Sequence, residues 1–259
     1  PASGDHGTSQ PNLIDPPNIS LSRKFSQLGF AVLRGVFSEQ EIAEFRAAAI
    51  ERFPDNKPPY IAQFSNSMAL HDPFDKIFTN ERVISTLKEL LGEDFNFLNN
   101  YAVQDSSWTG WHTDTTSIEI KGFHEFHWAP TFQIIQCALY LQSNDNGGFG
   151  LDVVPRSHVL DDPLAYQLLQ DSRDVIPHLA PPKTENIIGR AVRLDTKIGD
   201  MVFFHFRLRH RASPKTTPLH DLPERKIAVF AVAGAMNELT RRYRAWIDEH
   251  DLRNDESRP

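Results

Sequence analysis

The order of patterns along the 259 residues predicts an α+β fold, mainly β: a double-stranded β-helix (jelly-roll) barrel with helices packed on one face. Three observations predict it. Helix-spaced segments come first, before about residue 92. Short apolar runs of strand length follow from Phe95 onward, separated by turn residues. The length suits a single closed or double-sheet β unit, and 18 phenylalanines suit a sheet-rich interior.

Residues 1–20, rich in Pro, Ser, Asn and Gly, read as a flexible N-terminal arm, and residues 21–259 as one jelly-roll domain. Phe30-Ala31-Val32-Leu33 is a short apolar strand after Gly29. Ser38-Glu39-Gln40-Glu41 is a capping box, in which the hydroxyl and the carboxylate each take up an amide left free at a helix start. Ile42, Phe45 and Ala49 follow at helical spacing, and the helix ends before Pro54. A second helix is expected over 81–91, stopped by Gly92. Strands are expected over 95–103, 111–116, 132–141, 151–154, 191–194, 201–206 and 226–233. Asn144 to Gly148 reads as a turn, 161–190 as loop with a short helix near 163–171, and 241–249 as a closing helix.

Charge and composition narrow the function. A net charge of −7 argues against a surface that tracks phosphates, so no nucleic-acid partner is expected. No apolar run approaches the roughly 20 residues that span a bilayer, so no membrane partner is expected either. The single cysteine, Cys137, lies in an apolar run and reads as a buried, inert thiol, compatible with a reducing cytoplasm. The remaining partner class is a small-molecule substrate; oligomeric state is not legible.

The chemistry concentrates in Trp111-His112-Thr113-Asp114 and in the segment from Gly199-Asp200 to His210. His-x-Asp on a strand sends both side chains to one face. Two imidazoles and a carboxylate form the facial triad of non-haem Fe(II) oxygenases, which leaves positions open for a co-substrate and O₂. His112, Asp114 and His210 are therefore the expected iron ligands. His205 competes with His210, but it follows Phe203-Phe204 and suits a core position, whereas His210 precedes a polar stretch. Arg225 opens the last apolar strand, where a guanidinium can clamp the far carboxylate of a keto acid. Gln104 and Gln136, polar residues on apolar strands, are candidate hydrogen-bond partners of that keto acid. His124, His127 and Trp128 form a candidate lid. Two other readings stay open: a cupin-like metalloenzyme that uses no keto acid, and a ligand-binding jelly roll in which His-x-Asp is structural.

From about Phe25 to Ala233 the chain resembles the phytanoyl-CoA dioxygenase family of 2-oxoglutarate-dependent iron oxygenases. The likeness rests on Leu28 to Ser38, on Trp111 to Asp114, on Asn146-Gly147-Gly148 followed by Val153-Val154-Pro155-Arg156-Ser157-His158, and on Gly199-Asp200 through His210. It implies Fe(II), 2-oxoglutarate as co-substrate and O₂. It also implies His112, Asp114 and His210 as ligands, His205 as a non-ligating histidine, and Arg225 as the 2-oxoglutarate anchor. Asp114 is retained where related halogenases lose their carboxylate, so hydroxylation, desaturation or ring closure is implied. The sequence departs from the family at Arg156, where glycine is usual, and in the longer spacing from His210 to Arg225.

Overall fold

A helix the sequence reading missed, α1 (Leu21–Leu28), is the first element of the computed structural model, which describes residues 20–52, 73–105, 110–115, 131–143, 150–159, 191–213 and 227–255. It is eight residues long; Phe25 is buried, and Leu21 and Leu28, at helical spacing on the same face, pack against the core beside it. Its ends are also marked: the Ser20 hydroxyl accepts from the Arg23 N–H, and Gly29 closes the helix. Then come β1 (Phe30–Leu33), α2 (Glu39–Arg52), α3 (Asp75–Thr79), α4 (Glu81–Leu91) and β2 (Asn96–Asp105). The capping box forms as expected, with Ser38 N–H donating to Glu41 Oε2 (2.8 Å) and Glu41 N–H to Ser38 Oγ (3.3 Å). The second half holds β3 (Ile134–Tyr140), β4 (Leu151–Val153), β5 (Val192–Arg193), β6 (Met201–His205), β7 (His210–Ala212), β8 (Ile227–Gly234) and α5 (Glu238–Asp255).

The strands form two antiparallel sheets, one ordered β1-β6-β3-β8-β2 and one ordered β5-β4-β7. Both faces of the larger sheet are covered, which is why its central strands read as unbroken apolar runs. Its outer face, with Ile135, Cys137, Phe203 and Val229, packs with Phe45, Val83 and Leu87 of α2 and α4. Its inner face, with Phe30, Ala138, Tyr140 and Phe204, packs with Leu151, Val153 and Leu194 at the smaller sheet. Tyr243, Trp246 and Ile247 of α5 cover Phe132, Ile134 and Val232 at one end of the inner face.

The expectations need four corrections. Among the described residues the two sheets do not join into a closed barrel. Helices hold more of those residues than strands do, because α2 and α5 run to 14 and 18 residues, so "mainly β" overstates the sheet. The strand expected over 111–116 shrinks to a single bridge at His112, since the chain turns at Asp114. The strand expected over 191–194 keeps two residues. The arm at 1–19, the turn at Asn144 to Gly148, the helix near 163–171, Arg225 and the lid residues lie outside the described residues.

The Pro155-Arg156-Ser157-His158 turn ties α1 to the strand that carries His210. Arg156 N–H donates to Leu28 O (2.9 Å), and His158 Nε2–H donates to Ser26 O (3.2 Å). Ser157 Oγ accepts from Arg209 N–H (2.8 Å). Arg156 adopts the left-handed conformation, at φ 69°, that a glycine takes without strain. That geometry costs a non-glycine residue roughly 1–2 kcal/mol, partly offset by the extra freedom glycine has when unfolded. Arg156→Gly is therefore expected to stabilise the fold by about 1 kcal/mol. A higher denaturant midpoint at unchanged slope is the expected result, and a lower one would contradict it.

His158 is buried, and burial foremost, with Arg207 and Arg156 assisting, lowers its pKa to about 4 against the opposing hydrogen bond to Ser26. The unfolded chain binds this proton from about pH 6.5 downward, while the native chain does not until about pH 4. Its contribution to stability is thus complete above pH 6.5 and falls through that window by about 1.4 kcal/mol per pH unit. His112, His205 and His210 are shifted the same way, so the whole chain is steeper still. His158→Gln, which keeps a donor for Ser26 O, is expected to remove one proton's worth of this slope. Denaturant unfolding at a series of pH values checks it, and an unchanged slope would refute the assignment.

Candidate metal centre

Strand β7 places His210 between two neighbours. On one side it pairs with Val153 of β4, and on the other with His112. His112 N–H donates to His210 O (3.0 Å) and His210 N–H to His112 O (2.9 Å). Residues paired in this way project from the same face, and the two imidazole centroids lie 4.2 Å apart. Asp114 is brought back by the turn that follows, where its N–H donates to Phe206 O (3.0 Å). Its Oδ1 comes 3.6 Å from His210 Nε2. One ligand atom from each of His112, Asp114 and His210 lies within 4.8 Å of the others. The His-x-Asp pair thus shares a site through a cross-strand bridge and a turn, not through the strand alternation expected.

The local hydrogen bonds suit this cluster to a cation. His112 Nδ1–H donates to Gly110 O and His210 Nδ1–H to Leu208 O, each at 2.9 Å, because a carbonyl can only accept. Each neutral ring therefore keeps its lone pair on Nε2, the tautomer a metal requires. Burial lowers the pKa of both histidines to about 4, helped by His210 at His112 and by Arg209 at His210. Burial raises Asp114 to about 6, with His112 opposing. Two neutral nitrogen donors and a carboxylate whose charge is costly in this setting are a donor set that a divalent cation completes. Phe204 walls the site, its ring 4.6 Å from that of His210.

His205 lies elsewhere. It pairs with Ile135 at the end of β6 and faces outward, 5.6 Å from the His158 ring and 6.5 Å from that of Phe25. Its Nδ1 accepts from Arg207 N–H (3.0 Å). It borders a separate cavity of about 180 Å³ that Leu90 and Arg207 also line.

Gln104 and Gln136 both fall on the inner-face register, Gln104 opposite Ala228 and Gln136 between Phe204 and Val232. Ala228 and Val232 are four residues apart on β8, about 13 Å along the strand, and the two glutamines sit on opposite sides of it. They cannot both grip one end of a small keto acid. Gln136 pairs with Phe204, whose ring touches that of His210. Tyr140 was missed: it is buried on the inner face, flanks Ala228 from the side opposite Gln104, and has its pKa raised by burial and by the charges of Asp114 and Asp152. Its even-numbered register with Gln136 along β3 was the available signal.

The family described as phytanoyl-CoA dioxygenase (PhyH) matches residues 25–219. No curated protein matches the chain. Among solved structures the chain is similar to the non-haem alpha ketoglutarate dependent epimerase SnoN from nogalamycin biosynthesis, with TM-score 0.58, 18% identity, and 83% of this chain and 81% of that one covered. SnoN in complex with Fe3+, alpha ketoglutarate and nogalamycin RO gives TM-score 0.57 at 20% identity over 83% and 82%. EvdO2 from Micromonospora carbonacea var. aurantiaca gives 0.53 at 21% identity over 82% and 88%. At these identities the likeness is one of fold.

Proposed function

The chain belongs to the phytanoyl-CoA dioxygenase family of iron- and 2-oxoglutarate-dependent oxygenases, and from that premise we propose that it oxidises an unactivated C–H bond of a small molecule. Hydroxylation is the first expectation; desaturation and ring closure draw on the same chemistry. The observation that carries the reading is the His112–Asp114–His210 cluster, with both imidazole tautomers set by carbonyls. SnoN's alpha ketoglutarate and its link to nogalamycin biosynthesis support the same co-substrate here and a natural-product substrate. We also propose that the two sheets belong to a jelly roll, and that the enzyme works in the cytoplasm, where its buried free Cys137 stays reduced.

Each residue has a role in this reading. His112, Asp114 and His210 hold Fe(II), which with 2-oxoglutarate and O₂ supplies the oxidising power and yields succinate and CO₂. Arg225, two residues before β8, anchors the far carboxylate of 2-oxoglutarate by a two-point contact. Gln136 serves as an amide donor on the inner face. Phe204 keeps water from one side of His210 and fixes its ring.

The test is succinate release by the Fe(II)-loaded protein across a substrate panel, read by mass spectrometry. Substrate-coupled succinate is expected. In Arg225→Ala, loss of a desolvated charge pair is expected to raise the 2-oxoglutarate requirement at least about 30-fold, with Arg225→Lys between. An unchanged requirement would place the clamp elsewhere. Iron binding without any 2-oxoglutarate dependence would favour a cupin-like enzyme.

A further inference from the structure

We propose that a cross-strand row on the other face of the smaller sheet, Arg193–Asp152–Arg211–Trp111, holds His112 in register, which makes Arg211 and Trp111 positioning residues for the metal centre. The inference rests on the metal reading of the His112–Asp114–His210 cluster.

Among the described residues the backbone ties His112 to β7 by one bridge of two hydrogen bonds, and the next tie, Asp114 N–H to Phe206 O (3.0 Å), comes after the chain has turned. A one-bridge pairing is free to slip or fray, and a slip of one residue would send the His112 ring to the opposite face. Side-chain contacts on the other face of the sheet add to what fixes the register.

The row supplies them. Asp152 of β4 pairs with Arg193 of β5 on one side and with Arg211 of β7 on the other. The His112–His210 bridge puts Trp111 directly opposite Arg211, so the row crosses all four segments. Alternation sends Trp111 and Arg211 to the face opposite the imidazoles. The Asp152 carboxylate is 7% exposed and accepts from Arg193 Nε (3.1 Å) and Arg211 Nε (3.1 Å), while Ser213 Oγ donates to its Oδ1 (2.8 Å). Arg211 is thus oriented from behind, and its guanidinium carbon lies 4.6 Å from the Trp111 ring centroid. A planar cation held by a buried carboxylate and seated on an indole face is a two-point grip on the residue next to His112. Out-of-register pairing would break the stack and the carboxylate contact together.

The experiment titrates the full chain with Fe(II) under argon against a competing chelator, with folding followed by circular dichroism. Arg211→Ala is expected to weaken Fe(II) binding about tenfold or more while the chain stays folded, the scale typical for supports behind metal ligands. Arg211→Lys, which keeps charge but not the planar fork, should fall between. Trp111→Leu reads the same effect from the other end of the row and serves if Arg211→Ala folds poorly. In a His112→Ala background, Arg211→Ala should cost nothing further, because the residue it positions is gone. Parent-like Fe(II) affinity in Arg211→Ala and Trp111→Leu, or a loss that adds in full to that of His112→Ala, would overturn the positioning role and leave the metal centre standing. A parent chain that holds no Fe(II) would overturn the centre and the row's role together.

Discussion

His210→Ala is expected to empty the protein of Fe(II) and end succinate formation, while His205→Ala keeps both. The two histidines sit five positions apart and belong to different sheets, His205 on the outer face of the larger and His210 on the smaller. His210 is paired to His112, and its Nδ1–H is engaged by Leu208 O, which leaves the Nε2 lone pair on the side of Asp114 Oδ1, 3.6 Å away. His205 faces Phe25 and His158, and its Nδ1 already accepts from Arg207 N–H. Loss of a ligand should cost more than the roughly 10- to 100-fold that removal of a supporting contact costs. Metal content after gel filtration and succinate yield together read the outcome. Retention of iron by His210→Ala, with loss in His205→Ala, would reverse the ligand assignment.

The largest expected effect on folding belongs to Gly199→Ala. Gly199 sits at φ +87°, and an added Cβ would collide with the Phe37 carbonyl oxygen. That oxygen cannot swing away as a flexible side chain would, because Phe37 N–H and Val36 N–H both donate to Gly199 O (3.2 and 2.7 Å). Left-handed strain of about 1–2 kcal/mol and overpacking of about 1–3 kcal/mol together give an expected loss near 3 kcal/mol. A typical domain has only about 5–15 kcal/mol in hand, so a large drop in denaturant midpoint should follow. A loss below about 0.5 kcal/mol, the size of an ordinary surface change, would show that the segment rearranges freely.

Gly199→Ala also shows what the Gly-Asp pair before β6 does. Asp200 accepts from Gly35 N–H (2.8 Å) and Lys197 N–H (2.9 Å) and pairs with Arg34 (2.6 Å). The pair locks the end of β1 to the start of β6, on the scaffold and away from the ligands. A motif that marks the site in the sequence need not touch it.

What the sequence made legible was local. The capping box at Ser38 and Glu41 needs only partners three residues apart, and the central strands announce themselves because both faces of their sheet are buried. What stayed hidden depends on distant pairing. The His112 bridge to His210 cannot be read from either segment, and the alternation invoked for His-x-Asp breaks at the Asp114 turn. Gln104 and Gln136 looked equivalent until the strand order set them on opposite sides of β8. Helix α1 escaped although Leu21, Phe25 and Leu28 mark one face of it, because eight residues between a polar arm and Gly29 make only two turns. The Asp152 row was invisible for the same reason as the bridge, since four short segments meet only in the folded sheet.

The most direct test of the metal centre is calorimetric titration of the metal-free chain, without oxygen, first with Fe(II) and then with 2-oxoglutarate. One Fe(II) per chain is expected, with 2-oxoglutarate binding tightly only after the metal, and neither bound by a chain carrying both His112→Ala and His210→Ala. Full Fe(II) binding by that double variant, or no stoichiometric binding by the parent, would contradict the His112–Asp114–His210 centre.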